Sequence, residues 1–93
     1  MMANARSHVV IEGIVQGVFF RASARDVAHS LGLKGWVRNC YDGCVEAVFE
    51  GERIKVEKML EWCGKGPTGA IVRNVKADWE VAIGDLDAFT IRY

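Results

Sequence analysis

The sequence contains no apolar run of about 20 residues, the length that a membrane-spanning helix needs. Residues 1–7 also lack the apolar stretch of a secretory signal peptide. A single proline and a formal net charge of zero argue against a disordered chain and against a broad surface for nucleic acid or anionic lipid. We therefore expect a cytoplasmic protein that binds neither membranes nor nucleic acid, and any anion must be recognised locally.

Cysteine is also scarce. Three cysteines, an odd number, fit reduced thiols better than a disulfide framework. Cys40 and Cys44 flank the tight turn Tyr41-Asp42-Gly43 and can face each other across a hairpin. A bridge between them is geometrically conceivable, but a reducing compartment disfavours it.

The chain has 93 residues, of which 51% are hydrophobic, so it can bury one core and not two. It shows no internal linker, repeat or low-complexity tract. We expect a single domain over residues 1–93 that acts as a monomer, with about 1–7 forming a loosely ordered N-terminal tail.

The hydrophobic period changes in a regular order along the chain. Alternation predicts strands, and apolar residues at helical spacing predict two helices, each followed by glycine. Gly32 is expected to cap the first helix in a left-handed conformation. The predicted elements are strand His8–Val15, helix Ala22–Leu31, strands Trp36–Cys40 and Cys44–Glu50, helix Glu52–Cys63, and two closing strands around Val75–Val81 and Phe89–Tyr93.

Two helices of this size can cover only one face of a sheet. The order predicts an α+β fold, the ferredoxin-like split βαββαβ sandwich, with an antiparallel sheet covered on one face by two helices and a short extra C-terminal strand. This fold hosts many functions, so the function must be inferred from the site.

The segment Gly13-Ile14-Val15-Gln16-Gly17-Val18-Phe19-Phe20-Arg21 runs an apolar strand into a turn and then a helix. Gly17 lets the loop curl with its N–H groups pointing inward. The first turn of the helix adds unpaired N–H groups, and Arg21 adds a planar cation that matches phosphate oxygens. The segment therefore predicts an anion-binding cradle.

Residues 13–21 and 35–51 each match a multi-residue pattern of one protein family. Residues 13–21 meet the pattern Gly, any residue, Val-Gln-Gly-Val, any residue, an aromatic, Arg. Residues 35–51 meet the pattern Gly, aromatic, small apolar, basic, Asn, three residues, Gly, one residue, Val, five residues, Gly. No fixed position is missing, and the chain resembles the acylphosphatase family from about His8 to Tyr93.

The resemblance implies roles for these residues. In that family the loop wraps the substrate phosphate, the arginine matching Arg21 holds its oxygens, and the asparagine matching Asn39 orients the attacking water. The reaction implied is hydrolysis, without metal or cofactor, of the mixed anhydride of an acyl phosphate to carboxylate and inorganic phosphate. The acyl group stays unnamed. The phosphate-binding loop implied is Val15, Gln16, Gly17, Val18, Phe19 and Phe20.

Elementary chemistry explains why so sparse a site suffices. The leaving carboxylate has a conjugate acid with a pKa of about 4, so it needs no protonation. Phosphoryl transfer passes through a loose transition state in which positioning and charge stabilisation dominate catalysis. The phosphate itself can take the proton of the water. Asn39 is neutral, so it positions that water without deprotonating it.

Other side chains have plainer interpretations. Gln16 either hydrogen-bonds the loop or phosphate or faces solvent. Phe20 is expected to anchor the loop and Phe19 to touch the acyl group. Arg38 is expected on the opposite strand face as a solvated charge. Surface positions are expected for His8 and His29, and the carboxylate of Tyr93 either pairs with Arg21 or is a free end.

The alternative is a ferredoxin-like binding module without catalysis. An RNA-binding module would need exposed aromatics on the central strands and a Lys/Arg-Gly-Phe-Gly-Phe type segment, which this sequence lacks. A metal carrier of this fold would have two close cysteines in the first loop, where residues 16–20 stand instead. Zinc would need four convergent ligands, so we expect no metal site.

Overall fold

The elements occur in the order that the periodicity predicts, in a computed structural model that describes residues 3–93. Two helices pack on one face of a five-stranded sheet. Neither helix in this part of the chain has the length and apolar character needed to cross a bilayer. The bounds are β1 Asn4–Ile14, α1 Phe20–Ser30, β2 Lys34–Asn39, β3 Val45–Glu52, α2 Arg53–Lys65, β4 Ile71–Glu80 and β5 Phe89–Arg92.

The strands lie in the order β4-β1-β3-β2-β5. Neighbours are antiparallel except β2 and β5, which are parallel, so the short extra strand makes a mixed sheet. The ferredoxin-like prediction is confirmed. Because β1 and β2 are both antiparallel to β3, the strands β1, β2 and β5 run in the same direction. The carboxyl ends of these three strands therefore lie at the same end of the sheet.

β1 begins at Asn4, four residues before the predicted start at His8. Asn4 pairs with Glu52 of β3, so residues 4–7 belong to the sheet and the expectation of a loose tail there is wrong. Residues 4–7 pair with β3, and the fully buried Ser7 is accommodated there because its hydroxyl donates to the Asp78 carbonyl oxygen at 3.1 Å. Residues 1–2, also placed in that tail, lie outside the described residues.

The core lies between the helices and one face of the sheet. The fully buried residues there include Val9 and Ile11 of β1, Val45, Ala47 and Phe49 of β3, and Ala24 and Ala28 of α1. Gly32 adopts the expected left-handed conformation, with φ +69°. Its N–H donates to His29 at 3.1 Å and the Leu33 N–H donates to Ala28 at 2.9 Å, which completes a Schellman motif.

The face of the sheet that the helices do not cover, called the open face below, carries charged side chains that are paired with one another rather than solvated. Glu46 accepts a 2.6 Å hydrogen bond from Arg38 Nε, and its other oxygen lies 2.6 Å from His8 Nε2. Arg38 does lie on the face opposite Asn39, as predicted, but it is an ion-pair partner. His8 is likewise paired. Burial alone would raise the pKa of Glu46, but the hydrogen bonds from His8 and Arg38 outweigh it and lower that pKa.

A second carboxylate on this face is almost completely buried. Glu50 accepts hydrogen bonds from the backbone N–H groups of Ile83 at 3.3 Å and Gly84 at 3.0 Å. Arg6 donates to Glu50 at 3.4 Å and to Asp85 at 2.9 Å. These bonds hold residues 81–88, the segment that connects β4 at one edge of the sheet to β5 at the other.

Candidate active site

A pocket of about 270 Å³ opens at the end of the sheet where β1, β2 and β5 terminate. It draws residues from the loop after β1, the first turn of α1, the last residue of β2, and the end of the chain in and beyond β5. The shared direction of the three strands is what brings these segments together. The lining residues are Val15, Gly17, Phe19, Phe20, Arg21, Ala22, Asn39, Ile91 and Tyr93.

The loop between β1 and α1 alternates in backbone conformation. Gly17 has φ +74° and Phe19 has φ +60°, whereas Val18 between them is not in the positive-φ region. Phe19 is the only residue other than glycine with positive φ among residues 3–93, and it immediately precedes α1. Alternating left- and right-handed residues turn successive N–H groups toward a common concavity, which is an anion-binding geometry.

The donor groups of this loop are available to a ligand. Within residues 3–93, no hydrogen bond outside the helices and strands uses a backbone N–H of residues 16–22 as its donor. The first such bond at the start of α1 runs from Ser23 N–H to the Phe19 carbonyl at 3.0 Å. Unpaired N–H groups at a helix start carry partial positive charge and favour anions.

Both ends of the loop are fixed by buried side chains. Val15 is 1% exposed and Phe20 is 2% exposed, and the Phe20 ring packs on the Trp62 ring of α2 with centroids 5.3 Å apart. The prediction that Phe20 anchors the loop is confirmed. Just before the loop, a Cβ on Gly13 would lie 2.1 Å from the Ile71 carbonyl oxygen, so only glycine allows β1 and β4 to approach this closely.

The side chain of Gln16, for which the sequence left open a hydrogen bond to the loop or phosphate or a solvent-facing position, bonds to the hairpin between β2 and β3. Its Nε2 group donates to the carbonyl oxygens of Cys40 at 2.8 Å and Cys44 at 2.9 Å. It thus ties the loop to the hairpin that begins directly after Asn39. The side chain neither faces free solvent nor lines the pocket, and its contact sets the position of the loop relative to β2.

Arg21 is the only charged side chain among the residues that line the pocket. None of the ion pairs formed by residues 3–93 includes it. The guanidinium lies 5.0 Å from the centre of the Tyr93 ring, a cation–π contact that leaves its N–H donors free. From the sequence we expect at most a contact between Arg21 and the carboxylate of Tyr93, so the contact with the Tyr93 ring was not predicted.

Asn39 is the last residue of β2 and lines the same pocket as Arg21. It is half-buried and pairs in register with Val45 of β3. Strand alternation turns Asn39 to the helix side, away from its neighbour Arg38. The two residues that the sequence singled out, 18 positions apart, therefore face one cavity.

The structure brings together most of the predicted site and adds three residues to it. Val15, Gly17, Phe19, Phe20, Arg21 and Asn39 line the pocket, whereas Gln16 and Val18 support it without lining it. Ala22 and Ile91 line it without having been predicted, and so does Tyr93, of which the sequence suggested only the carboxylate as a partner of Arg21. Phe19 is 82% exposed at the pocket, and its contact with an acyl group stays a prediction.

The arrangement offers positioning groups but no side-chain nucleophile. The described residues around the pocket include no histidine, cysteine or side-chain carboxylate. Outside the pocket, the hydrogen bond to Asp42 raises the pKa of Cys44 to about 12, and burial raises the pKa of Cys63 to about 12. Both stay protonated near neutral pH and are poor nucleophiles. Such a site can bind an anion and orient water.

Comparison with known proteins gives a consistent result. The acylphosphatase family model matches residues 7–91. An acylphosphatase of Roseiflexus sp. (strain RS-1) is 56% identical over 91 residues, covering 98% of each chain. An acylphosphatase of Anaeromyxobacter sp. (strain Fw109-5) is 53% identical over 93 residues, covering 100% of each. The solved structure of an acylphosphatase from Coxiella burnetii has a TM-score of 0.90 and 42% identity, covering 96% of this chain and 93% of that one.

Proposed function

This chain belongs to the acylphosphatase family and is an enzyme that hydrolyses acyl phosphates, and we propose that Arg21 and the backbone of residues 15–20 hold the phosphoryl group while Asn39 orients the attacking water. The observation that carries this proposal is geometric. The unpaired guanidinium, the loop with free N–H groups and the Asn39 side chain all belong to one pocket.

Substrate binding comes first. The phosphate accepts hydrogen bonds from the N–H groups of the loop and of the first turn of α1, which need no rearrangement to receive it because Val15, Gln16 and Phe20 hold the loop in place. Arg21 adds a full positive charge and two or more donors in one plane. Donors fixed before the reaction stabilise the charge that develops on the phosphoryl oxygens in the transition state.

The chemical step uses the Asn39 amide to hold a water molecule in line with the bond that breaks. The water oxygen forms a bond to phosphorus, and the bond from phosphorus to the carboxyl oxygen breaks. The leaving carboxylate keeps the electron pair of that bond. The proton of the water passes to a phosphoryl oxygen, so the products are a carboxylate and inorganic phosphate.

This route explains why the pocket has no general base. Asn39 offers a carbonyl oxygen and an amide but has no proton-accepting basicity, so it can only orient the water. A loose transition state needs little nucleophilic push, and a carboxylate is a good leaving group. The required catalysis is therefore positioning and electrostatic stabilisation, which this chain's own residues supply.

The experiment that tests the proposal is hydrolysis of benzoyl phosphate in ¹⁸O-labelled water with excess chelator. Attack at phosphorus places one ¹⁸O atom in the released phosphate and none in the benzoate, as measured by mass spectrometry of both products. Turnover is expected to be unchanged by the chelator. Label in the benzoate would show attack at the carbonyl carbon and would contradict the proposed step.

The proposal extends to the released phosphate and to the protein's state in the cell. Inorganic phosphate is expected to compete with substrate, because it fits the same loop and Arg21. The enzyme is proposed to act in the cytoplasm as a monomer that does not bind nucleic acid, in keeping with its free cysteines and zero net charge. Sedimentation equilibrium checks this state, and a stable dimer would contradict it.

A further inference from the structure

The turn between β2 and β3 carries three side chains with metal-binding donor atoms. The Sγ atoms of Cys40 and Cys44 and a carboxylate oxygen of Asp42 all lie within 4.8 Å of one another. From the sequence we expect no metal site, because zinc would need four convergent ligands. The folded turn supplies the third donor, because it brings Asp42 back toward the two thiols.

Hydrogen bonds to the backbone of the turn hold the three side chains close together. The Cys40 N–H donates to the Cys44 carbonyl at 2.9 Å, which closes the hairpin, and Gly43 turns the chain with φ +91°. The Gln16 side chain then bridges the carbonyl oxygens of both cysteines, at 2.8 and 2.9 Å. These bonds use the backbone atoms of the two cysteines and leave their sulfur atoms unused.

The charges at the turn suit a cation. Cys44 Sγ donates to Asp42 Oδ1 at 2.7 Å, so the carboxylate and the sulfur share a proton that a metal ion can replace. Among residues 3–93, Asp42 takes part in no ion pair with lysine, arginine or histidine. Cys44 is buried, Cys40 is half-buried and Asp42 is exposed, so the cluster opens to water on one side.

We propose that Cys40, Asp42 and Cys44 form a binding site for a thiophilic divalent cation of the Zn²⁺ or Cd²⁺ class. Two sulfurs and one carboxylate oxygen are soft-to-borderline ligands that favour these ions over Mg²⁺ or Ca²⁺. Each cysteine forms one metal–sulfur bond as a thiolate and releases its proton to solvent. Water fills the remaining coordination position.

The geometry requires only a small adjustment. Tetrahedral zinc, with bonds of about 2.3 Å to sulfur and about 2.0 Å to oxygen, sets its ligand atoms roughly 3.5 to 3.8 Å apart. Donor atoms that now lie up to 4.8 Å apart need to approach by about 1.3 Å at most, and the 2.7 Å contact between Cys44 Sγ and Asp42 Oδ1 needs to open by about 0.8 Å, both of which side-chain rotation can supply. None of these three residues lines the pocket, so the proposed metal ligands are distinct from the residues proposed to hold substrate.

The test is titration of the reduced protein with Cd²⁺, followed by the ultraviolet absorption band of cadmium–thiolate bonds. One equivalent is expected to saturate the band, Zn²⁺ to compete for the site, and Mg²⁺ to leave the band unchanged. Cys40→Ser and Cys44→Ser are expected to lose most of the band. Asp42→Asn, which keeps the side-chain shape, is expected to weaken binding about tenfold or more, since a charged ligand is lost.

Cys63→Ala is the matched control, because Cys63 is the third free cysteine and lies buried in the core. It is expected to retain the full band, and circular dichroism shows which variants remain folded. Loss of the band in a folded Cys63→Ala protein would overturn the site. So would an unchanged band in Cys40→Ser, or unchanged affinity in Asp42→Asn, each of which is decisive without the others.

Discussion

Two regions of this molecule hold peptide N–H groups and an arginine, and they differ in what accepts the hydrogen bonds. On the open face, the buried carboxylate of Glu50 accepts from two backbone N–H groups and from Arg6. At the pocket, residues 16–22 and Arg21 present the same kinds of donor, and no acceptor among residues 3–93 takes them outside the helices and strands. The chain completes one anion site itself, and in our proposal it leaves the other to substrate.

The same contrast holds for single arginines. Arg38 lies one residue before Asn39, yet it is bound to Glu46 at 2.6 Å and faces away from the pocket. Arg21 has no ion pair in the described chain, and its guanidinium lies 5.0 Å from the centre of the Tyr93 ring. An arginine bonded to a carboxylate supports the fold, whereas an arginine left free in a concave site is available to bind a ligand. Local sequence alone does not reveal the difference.

We expect the largest effect on catalysis from a substitution of Arg21, the arginine that the fold leaves without an ion pair in the described chain. Arg21→Gln removes the only charged side chain of the pocket and should lower kcat/KM by about 10³- to 10⁵-fold, the value of a phosphoryl-binding arginine. Inorganic phosphate should also bind more weakly, as measured by product inhibition. Arg38→Gln is the control, because the same change on the open face should leave kcat/KM near wild type. Equal losses in the two variants would contradict the assigned difference.

A substitution of Asn39 is expected to affect turnover of the substrate without affecting the binding of phosphate in the pocket. Asn39→Ala should lower kcat by about 10²- to 10³-fold, since water positioning is needed only in the transition state, while inhibition by phosphate stays near wild type. Asn74→Ala serves as the control, because Asn74 bonds Glu12 at 2.9 Å on the exposed side of the sheet. A kcat near wild type in Asn39→Ala would remove the proposed role of this amide.

Much of the pocket, in contrast to the pairing of its arginine, is visible in the sequence because it is local. The glycine turn, the arginine at the start of a helix and the asparagine at the end of a strand lie within two short segments, and strand alternation separates Asn39 from Arg38. The strands and helices follow equally from period and glycine positions. These features need no knowledge of distant contacts.

The rest depends on contacts between distant residues or on unusual backbone geometry. The Tyr93 ring reaches Arg21 because β5 pairs in parallel with β2, which no local pattern specifies. Phe19 adopts positive φ, a conformation that is uncommon for bulky residues and that the surrounding fold imposes. Gln16 bonds carbonyls 24 and 28 residues away, so its role is not encoded in its own segment.

Gln16→Met tests whether the loop acts as a fixed cradle. The change keeps the side-chain length but removes both hydrogen bonds to the hairpin, at a cost of about 1 to 3 kcal/mol in the free energy of unfolding. A loosened loop should bind inorganic phosphate less tightly, so the inhibition constant should rise together with the loss in stability from urea unfolding. Unchanged phosphate inhibition in the destabilised variant would show that the cradle keeps its shape without this clamp.

The smallest effect concerns the paired charges of the open face and appears in pH dependence. Glu46 has a pKa below its ordinary value of 4.5, because hydrogen bonds from His8 and Arg38 outweigh its burial. A carboxylate whose pKa is lowered by folding stabilises the protein above the unfolded pKa and loses that contribution as pH falls through the folded pKa. Glu46→Gln should therefore cost about 1 to 2 kcal/mol near pH 7 and progressively less below about pH 4.5.

Urea unfolding of wild type and Glu46→Gln from neutral to acid pH measures this difference directly. The two stability curves should converge toward low pH, because protonated Glu46 and glutamine are both neutral there. Activity of the variant at neutral pH should match wild type, since the ion pairs lie on the face away from the pocket. Curves that stay parallel across the pH range would mean that the charge of Glu46 contributes nothing to the stability of the folded protein.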